Sequence, residues 1–175
     1  ELLKRSGPYE DLTEMLRRIE TDLNANTPLL ARVILARGQL AANREGLDTA
    51  EELLLKAISV ADSIDFVSVG IHARVSLAYT ILRTNRLAEA MRVAEASVQA
   101  AEQAKDSYLL PSSLYCRGYV TYKSGETREA LADLLAALRG FQRLGNRIKE
   151  GECYGDLGEY YHSVGEPQRA KRYYE

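Results

Sequence analysis

The stretch from Gly118 to Leu138, GYVTYKSGETREALADLLAAL, decides the architecture. Its second half repeats leucine at helical spacing in Leu131, Leu134, Leu135 and Leu138, which marks an amphipathic helix and excludes a strand. Gly125-Glu126 supplies the turn before it, and Gly118 places a small residue in the middle of a preceding helix. Two helices approach to about 8–10 Å only where their contact residues are small, and Gly118 against Ala130 meets that condition. Outward from this stretch the same features recur every forty residues: Ala50, Ala90, Ala130 and Ala170; Gly38, Ala78, Gly118 and Gly158; Ala57, Ser97 and Ala137. Three independent columns fix one register. A period of this size marks a solenoid, whose helix pairs bury their apolar faces by stacking on one another. The expectation is a surface-presenting scaffold whose work is binding.

Gly118, Gly125, Ala130 and Ala137, followed by Gly158, Gly165 and Ala170, resemble the tetratricopeptide repeat (TPR) pattern. Gly38, Ala50 and Ala57, and Ala78 and Ala90, match it less fully, because their turns read Glu45-Gly46 and Asn85-Arg86. The unit departs from the usual length of about 34 residues, and no proline closes its second helix. Longer units of this kind resemble those of kinesin light chain and of bacterial maltose-regulon-type transcription activators. The resemblance implies an all-α, right-handed α-α superhelix in a single domain spanning 1–175. It holds a half unit at 1–27 and units at 28–66, 67–106, 107–146 and 147–175, the last cut short. Helices are expected near 9–24, 28–44, 47–64, 67–84, 87–104, 107–124, 127–144, 147–164 and 167–175. Thr27-Pro28, Leu110-Pro111 and Glu166-Pro167 put proline at first helical positions, and Thr127 is an N-cap candidate. Glu1 to Arg5 reads as the last turn of an earlier helix and Ser6-Gly7-Pro8 as its turn, so the chain reads as a fragment of a larger protein. Apolar surface near Tyr154, Tyr161 and Tyr173 is expected to be exposed at the cut end, with self-association as the result.

Composition narrows the function. The chain is 46% hydrophobic and 27% charged, enough for a continuous core, with a net charge of −2. A sequence pI of about 5.8 and scattered arginines argue against direct nucleic-acid binding, which calls for a basic stripe. No charge-free apolar run reaches a membrane span. Cys116 and Cys153 lack metal or disulfide-framework spacing and read as small thiols in a reducing cytoplasm, with a redox role as the alternative. His72 and His162 lie ninety residues apart without a carboxylate motif, so neither a metal nor a cofactor is expected. Gly151, Gly155 and Gly158 form no phosphate-binding fingerprint and read as packing glycines plus one at a repeat junction. No nucleophile–base arrangement argues for an enzyme.

In the TPR family the first helix of each unit lines a concave groove. Carried over by register, that gives Arg32, Leu35, Gln39 and Asn43; His72, Val75, Tyr79 and Arg83; Ser112, Tyr115, Tyr119, Tyr122 and Lys123; and Glu152, Asp156, Glu159 and His162. The resemblance implies a tyrosine patch from Tyr79, Tyr115, Tyr119 and Tyr122, which either lines the groove or fills the core, and a groove running from basic (Arg32, Arg83, Lys123) to acidic (Glu152, Asp156, Glu159). The lysine and asparagine positions of the chaperone-tail clamp are instead Leu35, Val75, Tyr115 and Gly155 and Gln39, Tyr79, Tyr119 and Glu159, so that clamp is absent. Arg37, Arg74 and Arg117 stand in columns usually apolar; their stems should pack while the guanidinium groups reach an edge or a carboxylate. Three functions follow: a non-catalytic protein- or peptide-binding scaffold or sensor of a cytoplasmic regulatory protein, a small-molecule inducer domain of a transcription activator, or a spacer and oligomerisation element.

Overall fold

The computed structural model describes residues 8–23, 26–44, 46–125 and 127–175, apart from the side chains of residues 8–11 and 127. The turns expected at residues 1–7, Glu45 and Glu126 of two turn dipeptides, and the Thr127 cap lie outside what it describes. Among the described residues the chain is helical throughout, without a strand: α1 Pro8–Asp22, α2 Pro28–Arg44, α3 Leu47–Ser63, α4 Val67–Arg83, α5 Leu87–Gln103, α6 Leu110–Ser124, α7 Thr127–Leu144, α8 Arg147–Ser163 and α9 Pro167–Tyr174. Each helix packs on its neighbours in sequence, and α2, α4, α6 and α8 also touch one another in series. Among the described residues the second helices α3, α5, α7 and α9 make no comparable backbone approach to one another. The first helices therefore form the crowded inner layer and the second helices the spread outer one, which curves the array with α2, α4, α6 and α8 on its concave side.

Small residues set the pair spacing, and the partner sixteen positions on sets how small. Gly38 faces Leu54, Gly118 faces Leu134 and Gly158 faces Tyr174, whereas Ala78 corresponds to Ala94. A Cβ on Gly118 would lie 3.0 Å from Asp133 Cβ, 3.1 Å from Leu134 Cγ and 3.2 Å from the Ala130 carbonyl. Ala50, Ala90, Ala130 and Ala170 are all buried beneath this contact. The glycines of α8 divide differently from expectation. Gly158 packs tightly on Tyr174, but a Cβ on Gly151 or Gly155 would meet nothing within 4 Å, so these two are not packing glycines.

A left-handed residue ends successive helices at twenty-residue intervals: Asp65, Asn85, Lys105, Gly125, Gly145 and Gly165, with φ between 51° and 91°. After it the chain closes back, as where Phe66 N–H donates to the Ala61 carbonyl at 2.8 Å and Glu166 N–H to the Tyr161 carbonyl at 2.8 Å. Helix α6 begins at Leu110, later than the expected 107, because Asp106 Oδ1 accepts hydrogen bonds from the Tyr108 and Leu109 amides at 2.9 Å and holds a turn until Pro111 can open the helix.

The three arginines in apolar columns find carboxylates. Arg37 and Lys56 both grip Glu20, Arg74 Nη2 lies 2.6 Å from Asp62 Oδ2, and Arg117 holds Asp133 through two bonds of 2.6 and 2.8 Å. Each of the three arginine pairs joins a first helix to an adjoining second helix, whereas Lys56 ties α3 to α1 through Glu20. At the last pair of helices Tyr161 is buried and stacks on Tyr173 at 5.3 Å, and Tyr154 packs on Tyr173 at 6.2 Å. The apolar surface expected to be open near these three is thus largely closed by the rings covering one another.

Candidate functional site

The concave face is built from two columns one helical turn apart. The first reads Gln39, Tyr79, Tyr119 and Glu159; the second, four residues on, reads Asn43, Arg83 and Lys123. Residues at i and i+4 share a helix face, so α4 and α6 each present a tyrosine with a cation beside it. The Tyr79 and Tyr119 rings lie 6.0 Å apart, tilted by 58°, and floor a hollow of about 460 Å³ completed by Leu82, Arg83, Asn85, Leu87 and Lys123. The hollow is open to solvent. Both rings are half-buried and both cations exposed. Arg83 Nη1 donates to the Ala42 carbonyl at 2.6 Å, and Lys123 Nζ rests 5.0 Å from the Tyr119 ring centre and 5.3 Å from that of Tyr122.

The remaining tyrosines leave this pair. Tyr115 meets Phe141 edge-on at 6.3 Å and donates its hydroxyl to Asp156 Oδ2, while Tyr122 turns to Tyr160 at 6.4 Å and joins the core of the last unit. One continuous four-ring patch therefore does not form, because the i+7 position has rotated toward the next helix pair. The Tyr79 hydroxyl is buried without a hydrogen-bond partner among the described residues. Burial first, then nearby Cys116, Tyr115 and carboxylates, push its phenol well above the ordinary range. Burial and the bond to Asp156 do the same to Tyr115.

On α8, burial holds the Asp156 carboxyl above its ordinary value; Tyr115 and Lys123 pull it down, and Glu159 and Glu152 push it up. Glu152 is paired with Lys149 at 2.5 Å, and Lys149 also caps the Tyr115 ring at 5.6 Å, so the acidic end carries its own cation. At the opposite end Arg32 lies over Phe66 at 5.1 Å, Gln39 donates to Ser76 at 3.0 Å, and Asn43 donates to the Gln39 carbonyl at 3.1 Å, tying these residues into contacts within the chain. Leu35 is buried, Val75 and Ser112 half-buried, and His72 and His162 exposed. Burial pushes the Cys116 and Cys153 thiols up to about 12, far from the thiolate that redox chemistry needs. Among the described residues no cluster of His, Cys, Asp and Glu is placed to hold a metal, and no helix is long and apolar enough to cross a membrane. Sequence reading took Asn85 only as a turn and missed Leu82, Leu87 and Lys149. The signal for the hollow was the coincidence of Arg83 and Lys123 at one repeat position.

Residues 109–175 match the family model for the tetratricopeptide repeat. The fold is a TPR-like helical solenoid. A Rap protein solved in complex with Competence and Sporulation Factor superposes with a TM-score of 0.83 at 13% identity, over 95% of this chain and 47% of that one. A kinesin light chain with TPR-like repeats from Podosopora anserina gives 0.71 at 15% identity, covering 95% and 84%. A STAND ATPase with a tetratricopeptide repeat sensor from Pyrococcus horikoshii gives 0.77 at 16% identity, covering 95% and 26%. At these identities the likeness is one of fold, and this TPR-like chain spans about half the length of the Rap protein. No curated protein matches the sequence.

Proposed function

We propose that this solenoid is a non-catalytic protein- or peptide-binding module, scaffold or sensor in kind, that holds its partner along the concave groove. The observation that carries the reading is the open hollow over Tyr79 and Tyr119. Tyrosine offers a large apolar face with a hydrogen-bonding tip at low ordering cost, which is why it anchors recognition surfaces. The hollow is open to solvent, which suits a segment laid across it; a small-molecule inducer calls for a pocket that buries most of the ligand's surface. The Rap protein's complex with Competence and Sporulation Factor and the sensor role of the repeats in the Pyrococcus horikoshii protein support the same reading.

The test is capture of partners from lysate, identification by mass spectrometry, and affinity measurement with the purified partner. Tyr119→Ala should weaken binding by about 2 kcal/mol or more, roughly thirtyfold, as expected of an aromatic anchor, while its circular dichroism and melting stay near those of the parent. Unchanged affinity in a folded Tyr119→Ala variant would remove the groove as the working surface.

A further inference from the structure

We infer that the hollow between α4 and α6 receives a phosphorylated side chain of the partner segment, an inference that rests on the groove reading above. The same device stands there twice, Tyr79 with Arg83 and Tyr119 with Lys123, forty residues apart on touching first helices. Both cations line the hollow; Arg83 Nη1 is turned to the Ala42 carbonyl on α2, and exchanging that bond for a phosphate oxygen would bring the guanidinium across the floor from Lys123.

Neither charge is closed into an ion pair, although that of Lys123 is felt by Asp156 on α8. Arg37, Arg74, Arg86, Arg117 and Lys149 each hold a carboxylate. Arg83 and Lys123 form no ion pair among the described residues: Arg83 gives one N–H to a backbone carbonyl and Lys123 rests on aromatic faces. Beneath them the floor is tyrosine ring and leucine side chain, a surface of low polarity over which charges attract more strongly than in open water.

Two unpaired cations over such a floor exceed what one carboxylate neutralises. A phosphomonoester carries a charge of about −1.5 to −2 at pH 7 and presents three strong acceptor oxygens. It suits the planar fork of Arg83 on one side and the point charge of Lys123 on the other. An apolar residue next to it in the segment would cover the Tyr79–Tyr119 floor. The next repeat bounds the site, since Glu159 replaces tyrosine in the same column and Asp156 lies on the same helix, so an anion is repelled from sliding toward α8.

The experiment titrates the isotope-labelled chain, followed by amide chemical shifts, with a capped hexapeptide carrying one phosphoserine beside a leucine. Its serine and aspartate counterparts and inorganic phosphate are titrated in parallel. The phosphopeptide should bind at least tenfold more tightly than the aspartate peptide, with shifts confined to residues 79–87 and 119–123. Arg83→Gln and Lys123→Gln should each weaken it about tenfold, while Glu129→Gln on the outer layer leaves it unchanged. Equal affinity for the aspartate peptide would overturn the inference in favour of any acidic segment. Equal affinity for inorganic phosphate would reduce the site to one for a free anion, and no binding of the phosphopeptide would also overturn it. If the captured partner loses affinity with Tyr119→Ala but not with Arg83→Gln or Lys123→Gln, the groove reading stands and the phosphate inference falls; if none of the three affects it, both fall.

Discussion

Adding one methyl group at three glycines separates close packing from simple helix propensity. At Gly155 the new Cβ meets nothing, so Gly155→Ala should gain the roughly 0.5–1 kcal/mol by which alanine exceeds glycine inside a helix. At Gly118 the same propensity gain is opposed by contacts of 3.0–3.2 Å with three neighbours, one of them a backbone carbonyl. Asp133 cannot easily retreat, because Arg117 holds its carboxylate through two bonds. Overpacking of this kind costs about 1–3 kcal/mol, so Gly118→Ala should be destabilising on balance. At Gly158 the obstacle is the ring of Tyr174, which is 57% exposed and can swing aside, so a near-neutral result is expected. For a chain of 175 residues, 1 kcal/mol moves the melting temperature by about 2–4 °C. Thermal and urea melts followed by circular dichroism should therefore rank Gly155→Ala above the parent and Gly118→Ala below it. Leu134→Ala alone should cost about 2–5 kcal/mol as a buried truncation, and adding Gly118→Ala to it should cost less than in the parent, since the facing space has been emptied. A Gly118→Ala variant that melts as high as Gly155→Ala, or strict additivity with Leu134→Ala, would refute the size matching between the two columns.

Lys105 holds a left-handed conformation with φ 51°, so Lys105→Gly should raise stability by about 1 kcal/mol, read as an upward shift of the urea midpoint. Asp156 is held above its ordinary value chiefly by burial, so its charged form opposes folding at neutral pH. Asp156→Asn, which keeps an acceptor for Tyr115, should melt higher at pH 7, with the advantage vanishing as acid protonates the folded parent. Glu20 behaves oppositely: burial raises its value, but bonds from Lys56 and Arg37 outweigh burial and leave it lowered. Its contribution is therefore present above the ordinary glutamate value and is lost as pH falls through the lower folded one, and Glu20→Gln should flatten that acid limb of a stability–pH profile.

The repeat columns were legible because small residues recur at one position whatever surrounds them. The breaks at 65, 105 and 145 followed from the period, but their left-handed backbone did not, since Asp, Lys and Gly share a conformation there without sharing a residue type. That Arg37, Arg74 and Arg117 reach carboxylates was readable, but their partners were not, and the Lys56–Glu20 pair escaped altogether because those residues are thirty-six apart and meet only once three helices have packed. Among the groove residues, Tyr79 and Tyr119 were readable from their common column. The departures of Tyr115 and Tyr122 depend on a few tens of degrees of rotation about α6, which spacing alone does not specify.

Left-handed closures at even twenty-residue intervals also make the gene easy to lengthen or shorten. An unequal crossover between any two equivalent closures would preserve the length and phase of every helix on either side, because each pair consults only its immediate neighbours. New copies could then diverge column by column, and a copy that inherits tyrosine and a cation four residues apart would extend the floor of the groove by one more step.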